Sequence, residues 1–159
     1  TNFRELVLLL MEQQTMSLKA ILLMLVSLPS MLFAQEAEIE NEYNGYTEDF
    51  MIFDYEGIAS HFIPPVMFIG PSTSVMQDEN AIVSYYQAMK KNIQAGYAYS
   101  KSNLKIIQVT DKIYCLINTF TRHNSSDEVL FEGTSYNFFK ETESGWKIFL
   151  MQASALPDL

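Results

Sequence analysis

The stretch DYEGIASHF, residues 54–62, has the pattern of a short amphipathic helix. Asp54 is one of the residue types that cap helix N-termini with a side-chain oxygen. One apolar face at helical spacing is formed by Tyr55, Ile58, Ala59 and Phe62. The following Pro64-Pro65 cannot extend the helix, because proline lacks the backbone donor and clashes with the preceding turn. The sequence therefore predicts one short helix, with His61 near its C-terminal end.

Further helices are predicted on both sides of this stretch. Upstream, large apolar residues recur at spacings of four and three, at Ile39, Tyr43, Tyr46, Phe50 and Phe53. Downstream, Asp78 is a candidate N-cap for a helix whose apolar stripe is Ile82, Tyr85, Tyr86, Met89 and Ile93. Between the second and third helices, residues 66–69 are predicted to form a short buried strand that ends at Gly70-Pro71.

After residue 96 the apolar pattern changes from a helical to a strand-like period. Four long β-rich segments follow, separated by polar turn residues, at 104–110, 112–123, 128–141 and 146–154. The predicted order is helix, helix, short strand, helix and then a four-stranded meander. Helices that collect on one face of an antiparallel sheet make an α+β domain.

The N-terminal region has the layout of a secretory signal peptide. Residues 16–34 read MSLKAILLMLVSLPSMLFA, which is a basic start, an apolar segment, a proline break and a small residue before Gln35. We therefore predict an upstream extension at 1–15, a signal peptide at 16–34 that is cleaved after Ala34, and one exported domain at 35–159. An uncleaved N-terminal anchor is the alternative. The predicted location is the periplasm or the cell exterior, without stable membrane association after cleavage.

The composition argues against several classes of function. The chain carries 10 Lys and Arg against 19 Asp and Glu, and this net charge of −9 disfavours binding to nucleic acid or anionic lipid. Cys115 is the only cysteine, so no intrachain disulfide can form, and it is predicted to be buried and unreactive. The two histidines and the scattered carboxylates lack the spacing of metal ligands. No metal site and no cofactor are therefore predicted.

Three segments resemble the nuclear transport factor 2-like superfamily, also called ketosteroid-isomerase-like or SnoaL-like. Residues 54–62 are similar to its second helix, NAIVSYY at 80–86 to its third helix, and GWKI at 145–148 with MQA at 151–153 to its last strand. The resemblance covers about residues 36–155. It implies a cone-shaped domain, in which three N-terminal helices pack on the concave face of a strongly curved antiparallel sheet and enclose an apolar pocket. It also implies a homodimer formed through the sheet.

The same resemblance assigns pocket positions. The ketosteroid isomerases of this superfamily use two hydrogen-bond donors to hold an oxyanion, and a carboxylate base to move a proton beside a carbonyl. The donor tyrosine position falls on Tyr46, a second tyrosine on Tyr86, and the donor aspartic acid on Asn137. The base position falls on Gly70, and glycine cannot accept a proton. The resemblance therefore implies that the donors persist while the catalytic base is missing, and no catalytic residue is predicted.

Several candidate pocket residues have two interpretations. His61 is either a base, as a histidine near this position is in related dehydratases and cyclases, or a half-exposed side chain whose charge suits a helix C-terminus. Asn137 lies either on the inner face of the sheet, where a buried amide needs a partner, or on the outer face. Met151, in the last-strand segment, completes the candidate set of Tyr46, His61, Tyr86, Asn137 and Met151. His123 is predicted to be exposed beside a polar hairpin.

Three functions are therefore open. The first is a non-catalytic binding module for a small apolar ligand, which the missing carboxylate favours. The second is an isomerase, dehydratase or polyketide-cyclase-like enzyme in which His61 replaces that carboxylate. The third is a dimeric interaction module that works through the open face of its sheet. A cone filled by its own side chains would favour the third function, and a cavity that contains His61 would favour the second.

Overall fold

The structure is a computed structural model that describes residues 34–155, with side chains for 34–153. The predicted extension at 1–15 and the predicted signal peptide, apart from Ala34, lie outside the described residues. Within residues 34–155, no helix is long and apolar enough to cross a bilayer. The sheet and the core belong to one compact unit, Glu38–Leu159.

Three described helices precede the long strands, as the periodicity predicted. They are α1 at residues 34–52, α2 at Tyr55–Ser60 and α3 at Glu79–Lys90. Asp54 and Asp78 are the N-caps of α2 and α3, and they accept hydrogen bonds from the backbone N–H groups of Gly57 at 3.0 Å and Ala81 at 2.8 Å. Both predicted caps are therefore confirmed, and each satisfies a donor that a first helical turn leaves free.

The described strands form one six-stranded sheet. They are β1 Phe62–Ile69, β2 Thr73–Met76, β3 Tyr99–Thr110, β4 Ile113–His123, β5 Val129–Thr142 and β6 Gly145–Ala155. Their order in the sheet is β2-β1-β6-β5-β4-β3. Strands β3 to β6 form the predicted antiparallel meander, while β1 pairs with β6 in parallel and makes the sheet mixed. The predicted α+β class is confirmed.

The segment after α2 differs from the prediction in two respects. Strand β1 begins at Phe62, so that Pro64-Pro65 lie inside a strand predicted to start only at Val66. The pairing of β1 with β6 shifts register between Phe62 and Met67, because prolines cannot donate ladder hydrogen bonds. Strand β2 was not predicted, since its four residues are too few to show a period of two. It pairs with β1 as an antiparallel hairpin.

The core lies where the helices cover one face of the sheet. Inward-facing side chains alternate along the long strands, so β5 buries Ser135, Asn137 and Phe139 and leaves the residues between them partly exposed. Four strand pairings contain register shifts, and such bulges increase twist and bend a sheet. Cys115 is buried, as the sequence indicated, and so is Trp146.

His61 joins three elements at the end of α2. Its carbonyl oxygen accepts a hydrogen bond from the N–H of Ile148 in β6 at 2.9 Å. Its ring nitrogens contact two carboxylates of α1, Nδ1 with Glu42 Oε1 and Nε2 with Asp49 Oδ2, both at 3.0 Å. Because an ionised carboxylate can only accept, both contacts are hydrogen bonds when the imidazole is protonated and donates from both nitrogens. Lys147 of β6 donates to the same Glu42 oxygen at 2.6 Å.

Two glycines leave room for this imidazole and its carboxylate partner, because they have no side chain. A Cβ atom added at Gly45 of α1 would lie 3.0 Å from His61 Cε1, and one at Gly57 of α2 would lie 2.6 Å from Asp49 Oδ2. Glycine inside a helix costs about 1 kcal/mol relative to alanine. The close approach of the His61 ring and the Asp49 carboxylate offsets that cost, because a larger side chain would push them apart.

The charges of this cluster shift two pKa values in opposite directions. Burial by itself lowers the pKa of His61, but the hydrogen bonds and charges of Glu42 and Asp49 outweigh it and raise the pKa above its usual value. Burial by itself raises the pKa of Glu42, but hydrogen bonds from His61 and Lys147 outweigh it and lower the pKa. Folding therefore stabilises the protonated histidine and the ionised glutamate together.

Replacing His61 with glutamine should lower the free energy of unfolding by about 1–3 kcal/mol in slightly acidic buffer, because two charge-assisted hydrogen bonds are weakened. Because the pKa is raised on folding, protonated His61 contributes fully to the free energy of unfolding below its unfolded-state pKa of about 6.5. This contribution is lost as the pH rises through the folded-state pKa. The stability difference between the wild type and His61→Gln should therefore shrink as the pH increases. Urea denaturation of both proteins at a series of pH values measures it.

A double-mutant cycle with Glu42→Gln provides the control for this prediction. The coupling energy between positions 61 and 42 should fall with the same pH dependence, because it reports the charged pair alone. A stability difference that grew as the pH rose would mean that the ring is neutral in the folded protein.

Candidate functional site

A cavity of about 280 Å³ lies between the helices and the inner face of the sheet. The helices contribute aromatic and thioether side chains, at Tyr43, Tyr46, Phe50, Tyr85, Tyr86 and Met89. The β1–β2 hairpin contributes Phe68 and the turn at 69–72. The strands contribute Ser100, Ser102, Asn118, Phe120, Arg122, Ser135 and Met151. The volume is close to the lower end of the range of small-molecule sites, roughly 300–1,000 Å³.

The strand register explains which sheet residues reach the cavity. Strands β3 and β4 pair Ser100 with Arg122 and Ser102 with Phe120. Alternate residues of a strand project from the same face, so Asn118, Phe120 and Arg122 form successive rows on the inner face of β4. Along β4, the floor of the cavity is therefore formed in turn by the amide of Asn118, the ring of Phe120 and the guanidinium of Arg122.

Tyr46 and Tyr86 meet in the wall of the cavity. Their hydroxyl oxygens are 3.0 Å apart, and the Tyr86 hydroxyl donates to the sulfur of Met151 at 3.9 Å. Either hydroxyl can donate to the other, and the proton of Tyr86 can instead be directed at sulfur. Burial is the main cause that raises the pKa of both phenols above the usual value. The pair therefore stays neutral and supplies hydrogen-bonding groups, without a base.

A second polar group lies where α1 meets the sheet. The side-chain nitrogen of Asn118 donates to the Tyr43 hydroxyl at 2.8 Å, and both residues line the cavity. Asn118 is only 4 % exposed, and none of the described residues donates a hydrogen bond to its Oδ1. Buried polar atoms are almost always paired in folded proteins. Asn118 therefore presents an acceptor that a bound molecule or a water could satisfy.

Asn137 lies one row deeper than this group. It pairs with Leu116 of β4 and Met151 of β6, faces inward and is 0 % exposed. Its Nδ2 donates to the Leu116 carbonyl oxygen at 3.2 Å and to Ser135 Oγ at 3.0 Å. The structure thus places Asn137 on the inner face, where its amide nitrogen is used within the protein and its buried Oδ1 accepts a hydrogen bond from no described group. The cavity is lined by its neighbours Ser135 and Met151.

Arg122 brings the only formal charge to the cavity lining in the described part of the chain. Its Nη1 donates to Gln94 Oε1 at 3.0 Å. Four aromatic rings surround the guanidinium with centroids between 5.2 and 5.6 Å from its central carbon, from Phe50, Tyr97, Phe120 and Phe131. Burial lowers the pKa of Arg122, but a guanidinium stays charged at neutral pH. The cavity therefore holds a fixed positive charge inside an aromatic cage.

The described cavity lining contains no side chain of the types that ordinarily act as a catalytic base at neutral pH. Among the described residues that line the cavity, none is Asp, Glu, His, Lys or Cys. Gly70 does line it, so the position assigned to the missing carboxylate faces the cavity. His61 is held by the carboxylates of α1 outside the lining, and its ring stands edge-on to Tyr46 with 6.3 Å between centroids. Of the predicted pocket residues, the cavity brings together Tyr46, Tyr86 and Met151.

The prediction that His123 would be exposed is wrong. It is only 5 % exposed, with Nε2 at 2.8 Å from Thr121 Oγ1 and Nδ1 at 3.1 Å from the Asp127 carbonyl oxygen. Its ring stacks on Tyr99 with 5.1 Å between centroids. The hairpin that made it look exposed folds back over it instead. Within residues 34–155, no three His, Cys, Asp or Glu side chains are arranged to hold a metal ion.

The sequence interpretation missed Tyr43, Asn118 and Arg122 as cavity residues. A signal for the last two was present, because they share one face of a strand with the apolar Leu116 and Phe120. A polar residue on the apolar face of a strand is either paired or functional. Periodicity alone could not show which face was the inner one.

The family described as "NTF2-like protein (DUF6841)" matches residues 35–156. No curated protein matches the chain. Three solved structures illustrate the similarity of fold. A domain of unknown function with a cystatin-like fold from Nostoc punctiforme is 14% identical with a TM-score of 0.66, covering 79% of this chain and 80% of its own. A second such protein from the same organism is 17% identical with a TM-score of 0.64, covering 78% and 92%.

The third structure is a ketosteroid isomerase-like protein from Erwinia carotovora atroseptica. It is 15% identical with a TM-score of 0.60, covering 76% of this chain and 95% of its own. Identities this low show a shared fold and no shared activity. The family match spans nearly all of the described residues. The chain therefore belongs to the NTF2-like protein family DUF6841.

Proposed function

We propose that this domain binds a small apolar ligand in the cavity and does not transform it. The observation that carries the proposal is the chemistry of the lining, which combines aromatic walls and neutral hydroxyl groups with no carboxylate, histidine or thiol among its described members. Sites for small molecules are mostly apolar with a few placed polar groups. The lining has this composition, and it lacks a group that could move a proton at neutral pH.

The alternative function, an enzyme that uses His61 as its base, has less support than ligand binding without catalysis. A general base must lie within hydrogen-bond reach of the proton that it removes, directly or through one water. Both nitrogens of the His61 ring contact carboxylates, those of Glu42 and Asp49, and His61 is not part of the cavity lining. The isomerase, dehydratase or polyketide-cyclase-like alternative would therefore need a base supplied from elsewhere.

A purely structural interaction module also has less support, because the space between helices and sheet is open. Dimerisation through the outer face of the sheet remains compatible with ligand binding, and partly exposed aromatic rings such as Phe138 and Phe149 on that face support it. From the predicted signal peptide we also propose that this binding takes place in the periplasm or outside the cell.

The neutral fluorophore N-phenyl-1-naphthylamine should bind the full chain saturably, with an increase in its fluorescence. Ser102→Trp places an indole in the cavity and should weaken this binding by about tenfold or more, because the bulky ring competes for the same space. Titration of the dye into both proteins measures the effect.

Asn103→Trp is the matched control for this experiment. It adds the same side chain at the adjacent position of β3, where alternation directs it to the opposite face of the sheet. It should leave the dye affinity unchanged. Equal effects of the two substitutions, or the absence of saturable binding by the wild type, would count against a ligand cavity.

The chain should not isomerise the double bond of a 3-oxo-steroid above the rate in buffer. That reaction needs a base that contacts two carbons in turn, and general-base catalysis contributes about 10²–10⁴ in rate. The matching position is Gly70, and the donors Tyr46 and Tyr86 stabilise charge only after a proton has left. An absorbance assay of the conjugated product measures the rate.

Gly70→Asp supplies the complementary test. A Cβ atom at this position would meet only the Ser72 carbonyl oxygen, at 3.8 Å, which is ordinary contact. Any activity gained by Gly70→Asp should be absent from Gly70→Asn, which has the same shape and no base. Turnover by the unmodified chain would mean that another group acts as base, and the non-catalytic proposal would fail.

A further inference from the structure

The charge of Arg122 has no counter-ion in the described part of the chain. Ion pairs among residues 34–153 use lysines and histidines, and none of them includes Arg122. The chain has 19 Asp and Glu against 10 Lys and Arg, yet none of the described carboxylates pairs with Arg122. The cavity thus contains one uncompensated positive charge.

The hydrogen-bonding groups of the guanidinium are also incompletely used. Its Nε is buried and donates to no described group, while Nη1 donates to the neutral Gln94. A buried polar atom without a partner costs free energy, and the cost is larger for a charged group. Aromatic faces compensate part of the charge through cation–π attraction, but they accept no in-plane hydrogen bond from Nε.

The surroundings fix the guanidinium in place before any ligand arrives. Rings from α1, β4, β5 and the loop after α3 surround it, from Phe50, Phe120, Phe131 and Tyr97 respectively. A binding group that is already held in position loses little conformational entropy when it binds. Arg122 is therefore arranged as an anion-binding residue at one end of an otherwise apolar cavity.

We propose that the ligand is a small apolar carboxylic acid whose carboxylate pairs with Arg122. This inference rests on the proposed binding function and names its ligand class. A carboxylate is planar and singly charged, so it can accept hydrogen bonds from Nε and a second guanidinium N–H at once. One negative charge balances the one positive charge in the lining. The aromatic and thioether side chains then contact the apolar body of the acid.

The net charge of −9 makes this preference informative. The field of the whole chain repels anions, so an anion gains nothing from the general surface. Binding of a carboxylate in preference to a neutral molecule of the same length must therefore come from a local cation. Arg122 is the one that lines the cavity, within the described residues.

Displacement of N-phenyl-1-naphthylamine by octanoate and by 1-octanol tests the inference. The two competitors share one alkyl chain and differ in the charged end group. At neutral pH the wild-type chain should bind octanoate roughly 10- to 100-fold more tightly than 1-octanol, as expected for a charge-assisted pair of hydrogen bonds. The preference should be lost in Arg122→Gln, where the two competitors should displace the dye equally well.

Lys105→Gln is the matched control. It removes one positive charge from an exposed position of β3 outside the lining, and the preference for octanoate should persist. Wild-type protein that binds 1-octanol as tightly as octanoate would overturn the inference and leave the binding function standing. Absence of dye binding to the wild type would instead overturn both. If Arg122→Gln does not fold, the ratio of the wild-type affinities for octanoate and 1-octanol still tests the inference, because its measurement needs no variant.

Discussion

The arrangement of this domain depends on the contacts of His61, whose ring is held between two carboxylates of α1. Its side chain fixes α1, its position ends α2, and its carbonyl oxygen receives the N–H of Ile148 in β6. Three elements that are distant in the sequence are thereby held at one point. Gly45 and Gly57 allow this approach, because any side chain there would displace the ring or the Asp49 carboxylate.

The cavity follows from this arrangement. Tyr46 lies on α1 between the residues that bind His61, and its ring stands edge-on to the imidazole. Its hydroxyl therefore meets Tyr86 of α3 above the sheet, and the two helices are separated by aromatic rings. Below them, the inner face of β4 carries Asn118 and Arg122 where an apolar core would have apolar side chains. Buried polar groups of this kind resist collapse of the helices onto the sheet, because closing the gap without partners would cost free energy.

The comparison with ketosteroid isomerase-like proteins concerns the fold, and the chemistry has to be argued from the lining. The position assigned to the base faces the cavity but is Gly70, which can move no proton. The tyrosine hydroxyls are satisfied by each other and by Met151. The lining of this cavity includes the guanidinium of Arg122 without a described counter-ion, and this is the basis of the proposed recognition of an anion. A shared fold with different side chains at its cavity is the common pattern among large superfamilies.

Local sequence determined the helices, their caps and the long meander, since these depend on residues close together in the chain. Asp54 and Asp78 cap the helices that they precede, and the change from helical to alternating period marks the first long strand. The resemblance suggested Tyr46, Tyr86 and Met151 as pocket residues, and all three line the cavity. The parallel β1–β6 pair, the contacts of His61 and the cation in the cavity were decided only by tertiary structure. A period of two assigns strand residues to two faces, and only the packing of the helices decides which face is inside. Burial of Arg122 and pairing of His61 depend on that packing, because their partners come from elements far along the chain.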